Sequence, residues 1–136
     1  MRLIVLDNEA CQALADPAHR KHQKVVSLAQ VVAGRKQRAA AIEVVVPTAV
    51  RVEAGWDRTS AAWAFPNRLR IADIPLDSAN ANIAAAIRGR AGVSVTDAHL
   101  GAVMRTAPAG DVTVVTSDPG DMRRVAGDRV VSIAAI

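Results

Sequence analysis

Val112-Thr113-Val114-Val115-Thr116-Ser117-Asp118-Pro119-Gly120-Asp121 is the stretch that decides the fold. Residues 112–115 form a short apolar, β-branched run, the signature of a buried strand. After two intervening residues, Asp118-Pro119 makes a good helix start, with Asp as the cap and Pro at the first helical position. A strand that passes so quickly into a helix belongs to an alternating β/α chain. The same order recurs on either side. Downstream, residues 122–126 read as a short helix and residues 129–133 as a last strand. Upstream, Thr96 or Asp97 opens a helix with Leu100, Val103 and Met104 on one side. Before it, Asp77 or Ser78 starts an alanine-rich helix carrying Ile83 and Ile87, with Gly89 near its end.

The N-terminal half repeats the alternation. Residues 2–6 are an apolar run closed by Asp7, and residues 43–46 form a second strand stopped by Pro47. Between them lies a long helix from about Arg20 to Arg38, with Val25, Leu28, Ala29 and Val32 on one face and its basic end (Arg35, Lys36, Arg38) on the surface. Thr48 can cap a helix through Val52 and Glu53 toward Trp56, and residues 71–76 supply a third strand. Strands alternating with helices imply an α/β fold: a mainly parallel five-stranded sheet between helical layers, a three-layer α/β/α sandwich. With 136 residues and no repeat, linker or low-complexity segment, residues 1–136 read as one domain.

Composition narrows the function classes. Hydrophobic residues make up 51% and charged residues 22%, the balance of a folded globular chain and not of a disordered tail. Glu43, Pro47 and Asp7 break the apolar runs well short of the roughly 18 residues a membrane helix needs. The N-terminus lacks a signal peptide's apolar region, so no membrane association and a cytoplasmic location are expected. Cys11 is the only cysteine, which excludes an internal disulfide and a cysteine-based zinc site. The net charge of +4 leans toward an anionic partner. There is no tyrosine, and Trp56, Trp63 and Phe65 are the whole aromatic complement, too few for a base-stacking platform. Any nucleic acid would be held through its backbone.

In parallel sheets, functional groups gather beyond the carboxyl ends of the strands, where the strand order reverses. Asp7 follows the first strand directly and Asp118 follows the strand 112–115. Asp97 starts a helix, and Glu53 sits on the helix after the second strand. Each has an ordinary explanation: Asp118 as a helix cap, Asp97 as a first-turn acid facing the helix dipole, Glu53 as an exposed helix residue. Asp7 ends a buried strand with no obvious cap role, and that is harder to explain away. Together, carboxylates in one crevice repel one another unless a cation is shared, and an all-oxygen set suits Mg²⁺ or Mn²⁺. His19 and His22 lack a third histidine or cysteine and read as solvated residues at a helix start. His99, two residues after Asp97, points to a different side of its helix.

These residues form a recognisable pattern: Leu6-Asp7, then Val52-Glu53-Ala54, then Val95-Thr96-Asp97-Ala98, then Thr116-Ser117-Asp118-Pro119-Gly120-Asp121. Over essentially the whole chain it resembles the PIN-domain family, most closely the VapC-type toxin ribonucleases of bacterial toxin–antitoxin systems. The resemblance implies that Asp7, Glu53, Asp97 and Asp118 line a pocket for one or two divalent ions. It places the Thr116 hydroxyl near the metal and Asp121 as an outer ligand. It implies cleavage of structured cellular RNA, transfer or ribosomal, a cognate antitoxin partner, and a homodimer. In that chemistry a divalent ion activates water against the phosphodiester, leaving a 5′ phosphate and a 3′ hydroxyl. Many members carry a small hydroxyl residue shortly after the first Asp. This chain has Asn8-Glu9, and Glu9 either adds a carboxylate at the pocket edge or begins the next helix.

Arg51, Arg58, Arg88, Arg90, Arg123 and Arg124 are candidates to position RNA through its phosphates, with Arg123 and Arg124 nearest to Asp118. Trp56 and Trp63 read as core or interface residues. Among other enzymes, hydrolases resembling haloacid dehalogenases need a second Asp two residues after the first, where Glu9 stands. Receiver domains need a lysine near the last strand, and no lysine follows Lys36. The competing reading of another class is a catalytically inactive PIN-like module that only binds RNA or a protein. Manganese binding separates it from the nuclease.

Overall fold

Val5, Val45 and Val114 sit side by side without exposed surface, because the three strands that carry them are covered on both faces. The computed structural model describes residues 2–35, 42–108 and 110–136. Five strands make one sheet: β1 (Arg2–Leu6), β2 (Ile42–Pro47), β3 (Ile71–Ile74), β4 (Asp111–Thr116) and β5 (Ser132–Ala135). Their spatial order is β3-β2-β1-β4-β5, and every neighbouring pair is parallel. The chain therefore steps outward from β1 to β3, returns across the sheet to β4, and continues to β5. The order reverses between β1 and β4.

The crossovers supply the two outer layers. α1 (Asn8–Ala15), α2 (His22–Arg35), α3 (Thr48–Ala54) and α4 (Ala64–Arg68), the last preceded by a single 3-10 turn (Ala61–Trp63), join β1 to β3. α1 packs against the other three of that group. α5 (Ser78–Ala91), α6 (Val95–Thr106) and α7 (Pro119–Ala126) belong to the return path and pack on one another. Right-handed connections running in opposite directions put the two groups on opposite faces of the sheet. The expected three-layer α/β/α sandwich is the observed one. Leu14, Leu100, Met104 and Met122 fill the space between helices and sheet.

Several local expectations need correction. α1 is the helix that Glu9 begins, one of the two readings of that residue. It is eight residues long, and Ala10, Cys11, Ala13 and Leu14 turn inward, a buried face of mostly small residues with little periodic contrast. The long second helix begins at His22, not Arg20, and its basic end at Lys36 and Arg38 lies outside the described residues. Thr48 does not cap α3. Pro47 holds the cap position, and the Thr48 hydroxyl instead accepts from the Leu76 N–H (3.1 Å). α3 stops at Ala54 because Gly55 turns left-handed at φ 75°, a conformation L side chains avoid. Ser94 caps α6, accepting from the Asp97 N–H (3.1 Å). The third strand ends at Ile74, just before Pro75. The last strand starts at Ser132, three residues later than expected. Arg129 is a loop residue whose guanidinium holds the Ala107 and Pro108 carbonyls (3.0 and 3.1 Å).

Candidate active site at the β1–β4 switch point

Asp7 is the first residue beyond β1, and its carboxylate is buried. One oxygen accepts from the Ala10 N–H (2.8 Å) and so caps α1; the other accepts from the Ser117 N–H beyond β4 (3.1 Å). Asp7 does have a cap role, contrary to expectation: it caps the helix that Glu9 begins. The Thr116 hydroxyl donates to the same carboxylate and accepts from the Asp118 N–H (2.9 Å). A relay thus runs Asp118 N–H to Thr116 to Asp7, closing the gap between the two strand ends. Burial pushes the Asp7 pKa up, against three hydrogen bonds that lower it.

Asp118 caps α7 by accepting from the Asp121 N–H (3.2 Å), as the sequence allowed. Asp97 sits in the first turn of α6, half-buried, and its pKa is pushed up to about 6. Burial is the largest cause, followed by the negative charges of Asp121, Glu53, Asp118 and Asp7, in that order. Four separate segments therefore aim charge at one carboxyl: the end of β1, helix α3, the β4–α7 corner and the first turn of α7. Asp121, expected only at the margin, bears on Asp97 more strongly than the other acids do.

The donor set is entirely oxygen, and its mutual repulsion is what a hard divalent cation would relieve. In chemistry the acids fit Mg²⁺ or Mn²⁺. In position they stand apart: among the described residues, no three Asp, Glu, His or Cys side chains are gathered closely enough to hold one metal ion as they stand. The exposed Glu53 and Asp118 are on the solvent side, so convergence on an ion requires side-chain rotation.

Glu9 turns away from this group. It lies in the first turn of α1 and meets His19 Nε2 (3.0 Å) and Lys21 Nζ (3.7 Å). His19 accepts from the Lys21 N–H at Nδ1 (3.1 Å), and His22 donates to the Ala13 carbonyl (2.7 Å). Both histidines tie the α1–α2 corner together and are not merely solvated. His99 faces away from the acids, as expected, and is fully buried with its pKa pushed down by that burial.

Two arginines leave the set of phosphate contacts. Arg51 and Arg58 both clamp Asp73 (2.8 and 2.7 Å), Arg51 also holds the Trp56 carbonyl, and Arg58 lies 4.5 Å over the Trp56 ring. Trp56 and Trp63 stack at 5.4 Å and are buried, which bears out their reading as core residues. Arg123 is exposed on α7. Arg124 is engaged with Asp121 (3.3 Å) and with the Ala91 carbonyl at the end of α5.

The sheet order and layering define a PIN-like α/β/α fold, with its acids at the switch point. No protein-family model and no curated protein matches the sequence. In fold the chain is similar to a solved structure of FitAB bound to an IR36 DNA fragment. The sequence identity is 18%, 96% of this chain and 94% of that chain are covered, and the TM-score is 0.53. Among the described residues no helix is long and apolar enough to cross a membrane.

Proposed function

We propose that the chain is a Mg²⁺- or Mn²⁺-dependent endoribonuclease, the toxin of a toxin–antitoxin pair that cuts structured cellular RNA such as transfer or ribosomal RNA. One observation carries the reading. Asp97 is half-buried against the charges of Asp121, Glu53, Asp118 and Asp7, an arrangement that costs stability unless a cation is shared. The acids stand where a parallel sheet places its chemistry, beyond the strand ends where the order reverses. The structure that shares the fold is FitAB bound to a DNA fragment, which supports a reading that includes an antitoxin partner and nucleic acid. The pattern of acids that resembles VapC-type toxins supports a cognate antitoxin and a homodimer.

Asp7, Glu53, Asp97 and Asp118 would hold the ion, with Asp121 beside Asp97. When bound, the ion supplies Lewis-acid activation of water and neutralises charge on the phosphate. Asp7 is the fixed member, held by the Ala10 and Ser117 N–H groups and by the Thr116 hydroxyl, which is a positioning group. One of these carboxylates would take the proton that attacking water loses. Arg123, one turn from the Asp118 cap and exposed, steers the RNA backbone toward the crevice.

A second reading, a PIN-like module that binds RNA or a protein without cutting, is favoured by the acids not being gathered around one point. Inducing the wild type and Asp97→Asn in a bacterial host and mapping new RNA 5′ ends decides between them. The nuclease predicts new ends and arrested growth with the wild type alone. Identical RNA ends from both proteins, combined with no Mn²⁺ binding by the purified wild type, would establish the binding module.

A further inference from the structure

We infer that His99 is a positioning residue of the acidic crevice, setting the spacing of Glu53 from Asp97 by anchoring the first turn of α3 to α6. The inference rests on the metal-nuclease reading above.

Every helix begins with N–H groups that have no partner within it. α3 follows Pro47, which offers no side-chain acceptor to that first turn. The Ala49 N–H is taken up from another helix instead, by Nδ1 of His99, in a long hydrogen bond of 3.4 Å. Accepting at Nδ1 requires a neutral ring with its proton on Nε2. Nε2 is buried with no partner within hydrogen-bond distance, and the nearby Pro75 carbonyl, just beyond β3, acts against the burial that lowers the ring's pKa. An apolar side chain would fill the same space without leaving an N–H unpaired, so packing alone does not account for an imidazole here. What the imidazole adds is polar contact that an apolar side chain lacks: the acceptor at the start of α3, and a ring that lies by the Pro75 carbonyl.

That link matters because α3 is only seven residues long and is not stable by itself. It touches α1 on one side and α6 on the other. Its first turn is pinned from two directions, by His99 at Ala49 and by the Leu76 N–H at Thr48. Glu53 lies one turn beyond Ala49 on α3, and Asp97 lies two residues before His99 on α6. The ring thus spans the two elements that carry opposing acids, from the side away from the crevice. Groups that orient ligands from behind commonly change metal affinity by about 10–100-fold when removed. A misplacement on the order of 1 Å costs catalysis similarly.

The test uses His99→Leu, His99→Asn and the wild type, with Mn²⁺ affinity by calorimetry, RNA cleavage kinetics and metal-free thermal melting. Asn carries an oxygen close to the place of Nδ1 and keeps the acceptor. The Leu variant is expected to melt near the wild type, to bind Mn²⁺ at least about tenfold more weakly, and to lose kcat with little change in KM for RNA. The Asn variant is expected to recover most of both losses. If Leu does not fold, His99→Met, flexible and of comparable size, takes its place in the same comparison. Wild-type Mn²⁺ affinity and kcat in the apolar variant overturn the inference and leave the nuclease reading standing. Equal losses in the apolar and Asn variants, tracking lowered melting temperatures, also overturn it, since they mark simple core filling. Absence of Mn²⁺ binding by the wild type overturns the nuclease reading itself.

Discussion

Asp97 carries two opposed demands, since the charge that would let it hold an ion is the charge its neighbours penalise. In the folded metal-free chain its pKa is about 6, raised from 3.8 first by burial and then by the surrounding acids. A carboxyl raised in this way gives stability that is complete below the unfolded value and is lost as pH climbs through the folded one. Asp97 therefore weakens the metal-free protein between about pH 4 and pH 7. Asp97→Asn removes that loss. After allowance for solvent screening of a half-exposed group, the variant is expected to exceed the wild type by on the order of 1 kcal/mol at pH 7.5 and to match it near pH 4. Thermal melts in a chelating buffer at the two pH values read the difference directly. A wild type as stable as the variant at pH 7.5 would mean that the acids do not crowd Asp97.

Helices α5, α6 and α7 meet at Gly101, where there is no room for a side chain. A Cβ there would stand 2.7 Å from the Val125 carbonyl oxygen, 2.8 Å from the Val125 Cβ and 3.0 Å from Ile87 Cδ1. Alanine normally gains about 1 kcal/mol over glycine inside a helix, but here the obstruction includes backbone that cannot swing aside. Overpacking wins, and Gly101→Ala is expected to lose about 1–2 kcal/mol net, seen as a lower denaturation midpoint in urea with an unchanged slope. An unchanged midpoint would show that α7 can shift away from α6 without cost. The same contact illustrates what a sequence can and cannot convey. Asp118-Pro119 announces its helix because cap and proline chemistry are local, and Val112 to Val115 announces a strand because burial on both faces is written in its side chains. Gly101 announces nothing, since its reason lies on two other helices. Helix α1 was legible only as one of two readings of Glu9, because its inward face is largely alanine and cysteine, and the cap role of Asp7 went unread with it. The acids Asp7, Glu53, Asp97 and Asp118 were legible as a pattern along the chain. The weight of Asp121 on Asp97 and the commitment of Arg51 and Arg58 to Asp73 depend on where α7 and β3 come to rest, which no spacing records.

The two helical layers come from opposite halves of the chain, and the acids are drawn from both. Asp7 and Glu53 belong to the half that builds β1 to β3; Asp97, Asp118 and Asp121 belong to the half that returns to β4 and β5. Outside this crevice the molecule is basic, with a net charge of +4, so a concentrated negative spot lies on a surface that attracts phosphates. An ion bound there would neutralise the spot and bridge the halves, stabilising the folded state alone, because the unfolded chain has no such cluster. At a free ion concentration one hundred times the dissociation constant the gain is about 2.7 kcal/mol. For a chain of this size that corresponds to a rise of roughly 10 °C in melting temperature. Mn²⁺ added to the metal-free protein at pH 7.5 is expected to produce such a rise, a chelator to reverse it, and Asp97→Asn to lose most of it. The variant is thus predicted to be the more stable protein without metal and the less stable one with it. This crossing distinguishes a functional carboxylate from a helix-start acid, because removing an acid that merely complements the α6 dipole would lower stability in both conditions.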